Sequence, residues 1–165
     1  MKFFTLFIMI SLIATLKGFG STPIEVGAAL PKTLPATLHT GEQIDLGPIF
    51  ESGMTFVFFY PKANTPGCTA QACSVRDAHE DLMDMGLRVF GVSADTVRWQ
   101  AKFVADHNLP YELVADPDRV VAEAFGSPPF SRQAFLIRDG VLIWRDLRAS
   151  TAKQADDVKK ALASL

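Results

Sequence analysis

Cys68 and Cys73 are the residues of this 165-residue chain best suited to chemistry. They are its only two cysteines and stand five positions apart. Thiolate, not thiol, is the nucleophilic form of such a side chain. Cys68 follows Gly67 at the end of a turn-rich loop, Lys62 to Gly67, that carries Asn64 and Pro66. A helix starting there would present unpaired N–H groups and the positive end of its dipole, both of which favour an anion. Lowering a thiol pKa from about 8.5 to about 6 raises the thiolate fraction at pH 7 from roughly 3% to roughly 90%, only about 30-fold. Enzymes commonly reach ~10⁶-fold or more. The site must therefore also stabilise charge as it leaves the sulfur. Thr65, three residues before Cys68, can place a hydroxyl over the same pocket, and Pro61 and Pro66 stiffen the loop and shield it from water. A fixed cation has to come from elsewhere in the chain.

The flanking pattern says what must hold this loop. Met54 to Tyr60 is a β-branched and aromatic run of the kind buried on both faces of a sheet, and Pro61 ends it. After Gly67 the apolar period becomes helical, through Ala72, Val75, Ala78, Leu82 and Met85, until Gly86 closes one continuous helix. Leu87 to Ser93 reads as the next strand. Asp95 or Thr96 can cap a helix through Trp99 and Phe103 that Asn108-Leu109-Pro110 stops. Tyr111 to Ala115 is a short strand, and Asp116-Pro117-Asp118 opens a helix to Phe125. Arg132 to Ile137 and Val141 to Trp144 pair across Asp139-Gly140, a hairpin signal. A last helix begins near Ser150 or Thr151, with Ala155, Val158, Leu162 and Leu165 as its buried stripe. One short strand is expected near Ala36 to His39 in the otherwise loop-rich residues 22–40. Strand-helix alternation followed by a hairpin predicts an α/β domain of thioredoxin-like fold, a central mixed sheet with helices on both faces.

Residues 1–20 stand apart. Met1-Lys2 gives a positive start, Phe3 to Leu16 is nearly all apolar, and Gly18 and Gly20 offer a small-residue exit. Those are the parts of a secretory signal peptide. An apolar run of this length falls short of the ~20 residues a membrane span needs. The expectation is export, with 1–20 as the leader, 21–165 as the folded domain and an uncleaved anchor as the alternative. The compartment predicted is the periplasm. Cleavage would remove two of the 16 Lys and Arg and no acid, leaving 14 against 18 Asp and Glu. No basic stripe is present, which argues against nucleic acid or an anionic membrane as partner.

Tyr60-Pro61-Lys62-Ala63-Asn64-Thr65-Pro66-Gly67-Cys68-Thr69 resembles the peroxiredoxin signature Pro-x-x-x-Thr-x-x-Cys. Cys73 sits at the spacing of the bacterioferritin comigratory protein, or peroxiredoxin Q, subfamily. The resemblance continues through Val92-Ser93-Ala94-Asp95, Asp116-Pro117-Asp118 and Arg132 to Ile137, roughly residues 27 to 163. It implies a thiol peroxidase acting on hydrogen peroxide and organic hydroperoxides, with no cofactor or metal and a thioredoxin-like protein as reductant. It implies Cys68 as the peroxidatic cysteine, Cys73 as the resolving cysteine, Thr65 as the hydroxyl bonding thiolate and peroxide, Pro61 as the shield, and Arg132 as the guanidinium on the sulfur. Relatives of this subfamily are monomers or weak homodimers. Gln71 stands where many relatives carry Glu, and Arg138 where Asp is usual; neither departure is expected to touch the core constellation.

Residues five apart in an intact helix have Cα atoms roughly 8.6 Å apart, whereas a disulfide tolerates at most ~7 Å. A bond between Cys68 and Cys73 therefore requires residues 66–75 to unwind. Three other readings compete. A thioredoxin-type oxidoreductase uses Cys-x-x-Cys, and the four intervening residues here argue against it. An exported copper carrier of this fold would use Cys-x-x-x-Cys with a distant His, and nothing places His107 at the cysteines. A domain with a merely structural pair of cysteines is the third. His39, His79 and His107 read as solvated or packed residues, and Trp99 and Trp144 as packing residues, with a surface patch as the alternative for Trp144.

Overall fold

A stiff apolar strand organises the molecule. β3 (Met54–Phe59) runs parallel to β4 (Leu87–Ser93) and antiparallel to β6 (Gln133–Arg138). The computed structural model describes residues 22–165, so the expected leader lies outside the described residues. β1 (Pro35–Leu38), β2 (Gln43–Asp45), β5 (Glu112–Ala115) and β7 (Val141–Asp146) complete one seven-stranded sheet in the order β2-β1-β5-β4-β3-β6-β7. Its centre, β3-β4-β5, is parallel and every other pairing is antiparallel. This is the expected mixed sheet.

Side chains alternate across β3, so the sheet serves two cores. Phe56, Phe58 and the following Tyr60 pack with Cys68, Ala72 and Val75 of α2 (Pro66–Asp77), Leu82 of α3 (His79–Asp84), Phe103 of α4 (Val97–His107) and Val158 of α6 (Gln154–Ala163). Val57 and Phe59 face the opposite core with Phe50 of α1 (Leu46–Phe50), Val121 of α5 (Val120–Ala124) and Phe125. Gly91 of β4 lets these layers close: a Cβ there would lie 2.6 Å from Leu113 and 2.9 Å from the Phe58 ring.

Several elements differ from the sequence expectation. The long helix predicted to run to Gly86 is two, α2 and α3, broken at Ala78 (φ −106°, ψ 8°). Alanine favours helix, so the break has no local signal; it turns the chain so that Leu82 is buried beside Leu87 in the same core. β2 and α1 are too short to leave a period. Asp45 holds them, its carboxylate accepting from the N–H of Gly47 at 2.9 Å and of Leu34 at 2.7 Å. α6 starts at Gln154, later than expected, and buries Ala155, Val158 and Ala161, while Leu165 is 54% exposed. α5 is capped from a distance: the Asp116 carboxylate accepts from the N–H groups of Val121 and Ala122 at 3.1 and 2.8 Å. Burial pushes that carboxyl above its ordinary value. The hairpin turn is as predicted, with Asp139 at φ 50° and Gly140 at φ 78°, the doubly positive geometry that suits a right-twisted ribbon. Among the described residues no helix is long and apolar enough to cross a membrane.

Candidate active site

The chain leaves β3 through Tyr60 and Pro61 and re-enters regular structure at Pro66, the first residue of α2. Pro66 has no N–H, which costs nothing at a helix start. Thr65 is the N-cap, with extended backbone, and the first intrahelical bond runs from the Thr69 N–H to the Thr65 carbonyl at 2.8 Å. Cys68 thus sits in the first turn, where backbone N–H groups have no helical partner. It is only 1% exposed. Cys73 lies in the same helix, half-buried, and both thiols are free.

Arg132 supplies the missing cation. Sixty-four residues away in sequence, its Nη2 donates to Cys68 Sγ at 3.5 Å. Nη1 donates to the Gly67 carbonyl at 3.4 Å and to Gln71 Oε1. The Arg132 main chain is pinned in turn, its carbonyl accepting from the Ala149 N–H at 3.2 Å. Gly67 makes room: a Cβ there would lie 3.1 Å from Nη2. The structure therefore brings Cys68 and Arg132 together, although pattern alone could not pair them.

Thr65 is in the cap position, but its hydroxyl donates to the Lys62 carbonyl at 2.9 Å, not to the sulfur. Pro61 is half-buried and lines a groove with Phe59, Val92 and the loop from Ser127 to Ser131. The Ala63 N–H donates to the Asp95 carboxylate at 2.7 Å, which also accepts from the Ser93 hydroxyl at 2.7 Å. Asn64, at φ 58°, accepts through Oδ1 from His107 Nε2 at 3.0 Å. The loop is thus tied to β4 and to the end of α4.

The expectation that Gln71 lies apart from the constellation is corrected: it touches Arg132 directly and is fully buried. Gln71, three residues after Cys68, was legible as a neighbour on the same helix face. Its second partner was not. Gln71 Nε2 donates to Gln154 Oε1 at 2.8 Å, across 83 residues. Two buried phenols brace the same region. The Tyr111 hydroxyl donates to the Ala72 carbonyl at 2.7 Å, and Tyr60 donates to Gln100. Burial pushes both phenols well above their ordinary range, so they act as neutral donors. Among the described residues no three His, Cys, Asp or Glu side chains gather as a metal-binding group.

A family model described as AhpC/TSA family matches residues 26–145. The chain belongs to the AhpC/TSA family. Its AhpC/TSA relatives include Peroxiredoxin Bcp of Bacillus subtilis, 34% identical over 156 residues, covering 86% of this chain and 95% of that protein. Peroxiredoxin Bcp of Escherichia coli is 40% identical over 105 residues, covering 63% of this chain and 65% of that protein. For the first relatives the matched stretch spans only 50% to 65% of their own length. Among solved structures, the Xanthomonas campestris bacterioferritin comigratory protein, described for its alkyl peroxide reduction activity, aligns with TM-score 0.76 and 26% identity, covering 85% of this chain and 98% of that one. Within the AhpC/TSA family this chain is thus of the bacterioferritin comigratory protein, or peroxiredoxin Q, kind, and its fold is the thioredoxin-like one expected.

Proposed function

We propose that this chain is a thiol peroxidase that oxidises Cys68 with hydrogen peroxide or an organic hydroperoxide and resolves it with Cys73. The observation that carries this reading is the Arg132 guanidinium at 3.5 Å from a cysteine sulfur at a helix start. Membership of the AhpC/TSA family supports it. So does the alkyl peroxide reduction ascribed to the Xanthomonas campestris protein.

The Cys68 thiolate attacks the terminal oxygen of the hydroperoxide. The S–O bond forms as the O–O bond breaks, and sulfur is oxidised by two electrons to sulfenic acid. The departing oxygen leaves as water or an alcohol after taking up a proton. Arg132 holds positive charge where negative charge moves from sulfur to oxygen. Thr65, its own hydrogen committed to Lys62, accepts the O–H of the substrate. Pro61 keeps water from the sulfur.

The thiolate of Cys73 then attacks the sulfenic sulfur; the S–S bond forms as the S–O bond breaks, and the departing hydroxide takes up a proton from solvent and leaves as water. Both cysteines lie in α2, and ~8.6 Å between Cα atoms five apart in a helix exceeds the ~7 Å a disulfide allows. α2 must unwind over residues 66–75 for this step. A dithiol protein of thioredoxin type then reduces the disulfide and is itself oxidised. We infer further that residues 1–20 export the protein, that the donor is accordingly an extracytoplasmic one, and that the protein works as a monomer or weak homodimer. Cell fractionation with sequencing of the mature N-terminus tests export; an intact Met1 on a cytoplasmic protein overturns it.

Following free thiols and peroxide together tests the activity. Reduced protein should lose two thiols per peroxide consumed, far faster than free cysteine. Cys68→Ser should abolish this, and Cys73→Ser should give one turnover. A wild-type rate equal to that of free thiol overturns the reading.

A further inference from the structure

The start of α6 is far in sequence from the cysteines, yet it is joined to the cation on the Cys68 sulfur by a chain of buried amides. A guanidinium has only donors, so Gln71 must turn its oxygen to Arg132. Its amino group is thereby directed to Gln154, which must in turn present its own oxygen, at 2.8 Å. The order of donors is dictated along the whole line. Both glutamines are 0% exposed, and among the described residues the Gln154 amino group has no partner. A second contact joins the same two helices. Ser74 Oγ accepts from the Ala155 N–H at 3.1 Å, where Lys153, the N-cap of α6, gives no side-chain cap bond. Gln71 and Ser74, one turn apart on α2, both engage the first turn of α6.

We propose that Gln154 is a positioning residue that seats Arg132 on Cys68 through Gln71 and, by the same bond, latches α2 in its helical form. The proposal rests on the peroxidase reading and adds to it a control point. Gln71 lies inside the segment that must unwind, whereas Gln154 lies outside it. Breaking the bond between them is part of the path to the disulfide. The latch therefore favours attack on peroxide and opposes resolution. The far end of α2 is tied separately, by Arg76 Nη1 donating to the His107 carbonyl at 2.9 Å, and needs no release.

The test compares wild type with Gln154→Met, which keeps the volume and loses the acceptor, and Gln154→Glu, which keeps an acceptor. Amide hydrogen exchange of the reduced protein is read first, because it needs no peroxide. Q154M should exchange about five- to ten-fold faster over residues 66–75, the effect of one neutral buried hydrogen bond, with β3 and β4 unchanged. Single-turnover kinetics should then show slower sulfenic acid formation and faster disulfide closure, both by several-fold, with Q154E returning toward wild type. If Q154M does not fold, Gln154→Ser, too short to reach Gln71, is read the same way. Equal exchange over residues 66–75, or an equal rise in β3 and β4, overturns the latch. So does an unchanged ratio of the two rates. A wild type that consumes no peroxide would instead remove the peroxidase reading, while the exchange comparison would still decide whether the latch exists.

Discussion

Arg132 Nη2 lies 3.5 Å from Cys68 Sγ, a contact that joins the hairpin side of the sheet to the sulfur at the start of α2. Replacing Arg132 by Met should slow sulfenic acid formation by about 10²- to 10³-fold, the range for losing one preorganised donor to a charge-bearing atom. Arg132→Lys should recover part of this, since a point charge remains but the fork that holds Gly67, Gln71 and Cys68 together is lost. Stopped-flow single turnovers measure both.

Gly67→Ala should slow both chemical steps. The new methyl would press on Nη2 from 3.1 Å and move the guanidinium off the sulfur. Alanine also stabilises the helix by up to about 1 kcal/mol over glycine, which opposes unwinding. A loss of several-fold in attack and in disulfide closure is expected, read by peroxide and thiol consumption.

Oxidation should cost helix. One equivalent of peroxide added to the reduced wild type should lower the far-UV helical signal as α2 opens and the disulfide closes. Cys73→Ser should keep its signal. A closed Cys68–Cys73 disulfide with unchanged helical content would contradict the unwinding step.

Asp116 predicts a pH dependence of stability. Burial raises its folded-state pKa above 3.8, so the folded state binds the proton more readily than the unfolded one. Stability from this group is present below the unfolded value and is lost as pH rises through the folded value. Asp116→Asn does not titrate. Its stability relative to wild type should improve with rising pH across that window and then level off. Urea denaturation from pH 3 to pH 7, an interval of about four units around the ordinary carboxylate range, measures this.

What the sequence disclosed follows from how local each feature is. The run from Met54 to Tyr60 and the Asp139-Gly140 turn carry their own signals; the strand formed over Met54–Phe59 and the turn formed as read. The loop from Pro61 to Cys68 was legible for the same reason. Arg132 was reachable only through resemblance to a family, because periodicity says nothing about a contact 64 residues away. The bond from Gln71 to Gln154 left no trace at all. Nor could pattern show which way the Thr65 hydroxyl turns or that the helix breaks at Ala78, since both are settled by neighbours brought in by the fold.

On the peroxidase reading, the buried sulfur of Cys68 is the atom that peroxide meets. Reduced Cys73→Ser protein treated with one equivalent of hydrogen peroxide, quenched in time and mapped by peptide mass, decides this. One oxygen atom should appear on Cys68, far faster than on free cysteine under the same conditions. Oxygen accumulating on methionine instead, or on Cys68 only at the free-thiol rate, would contradict it.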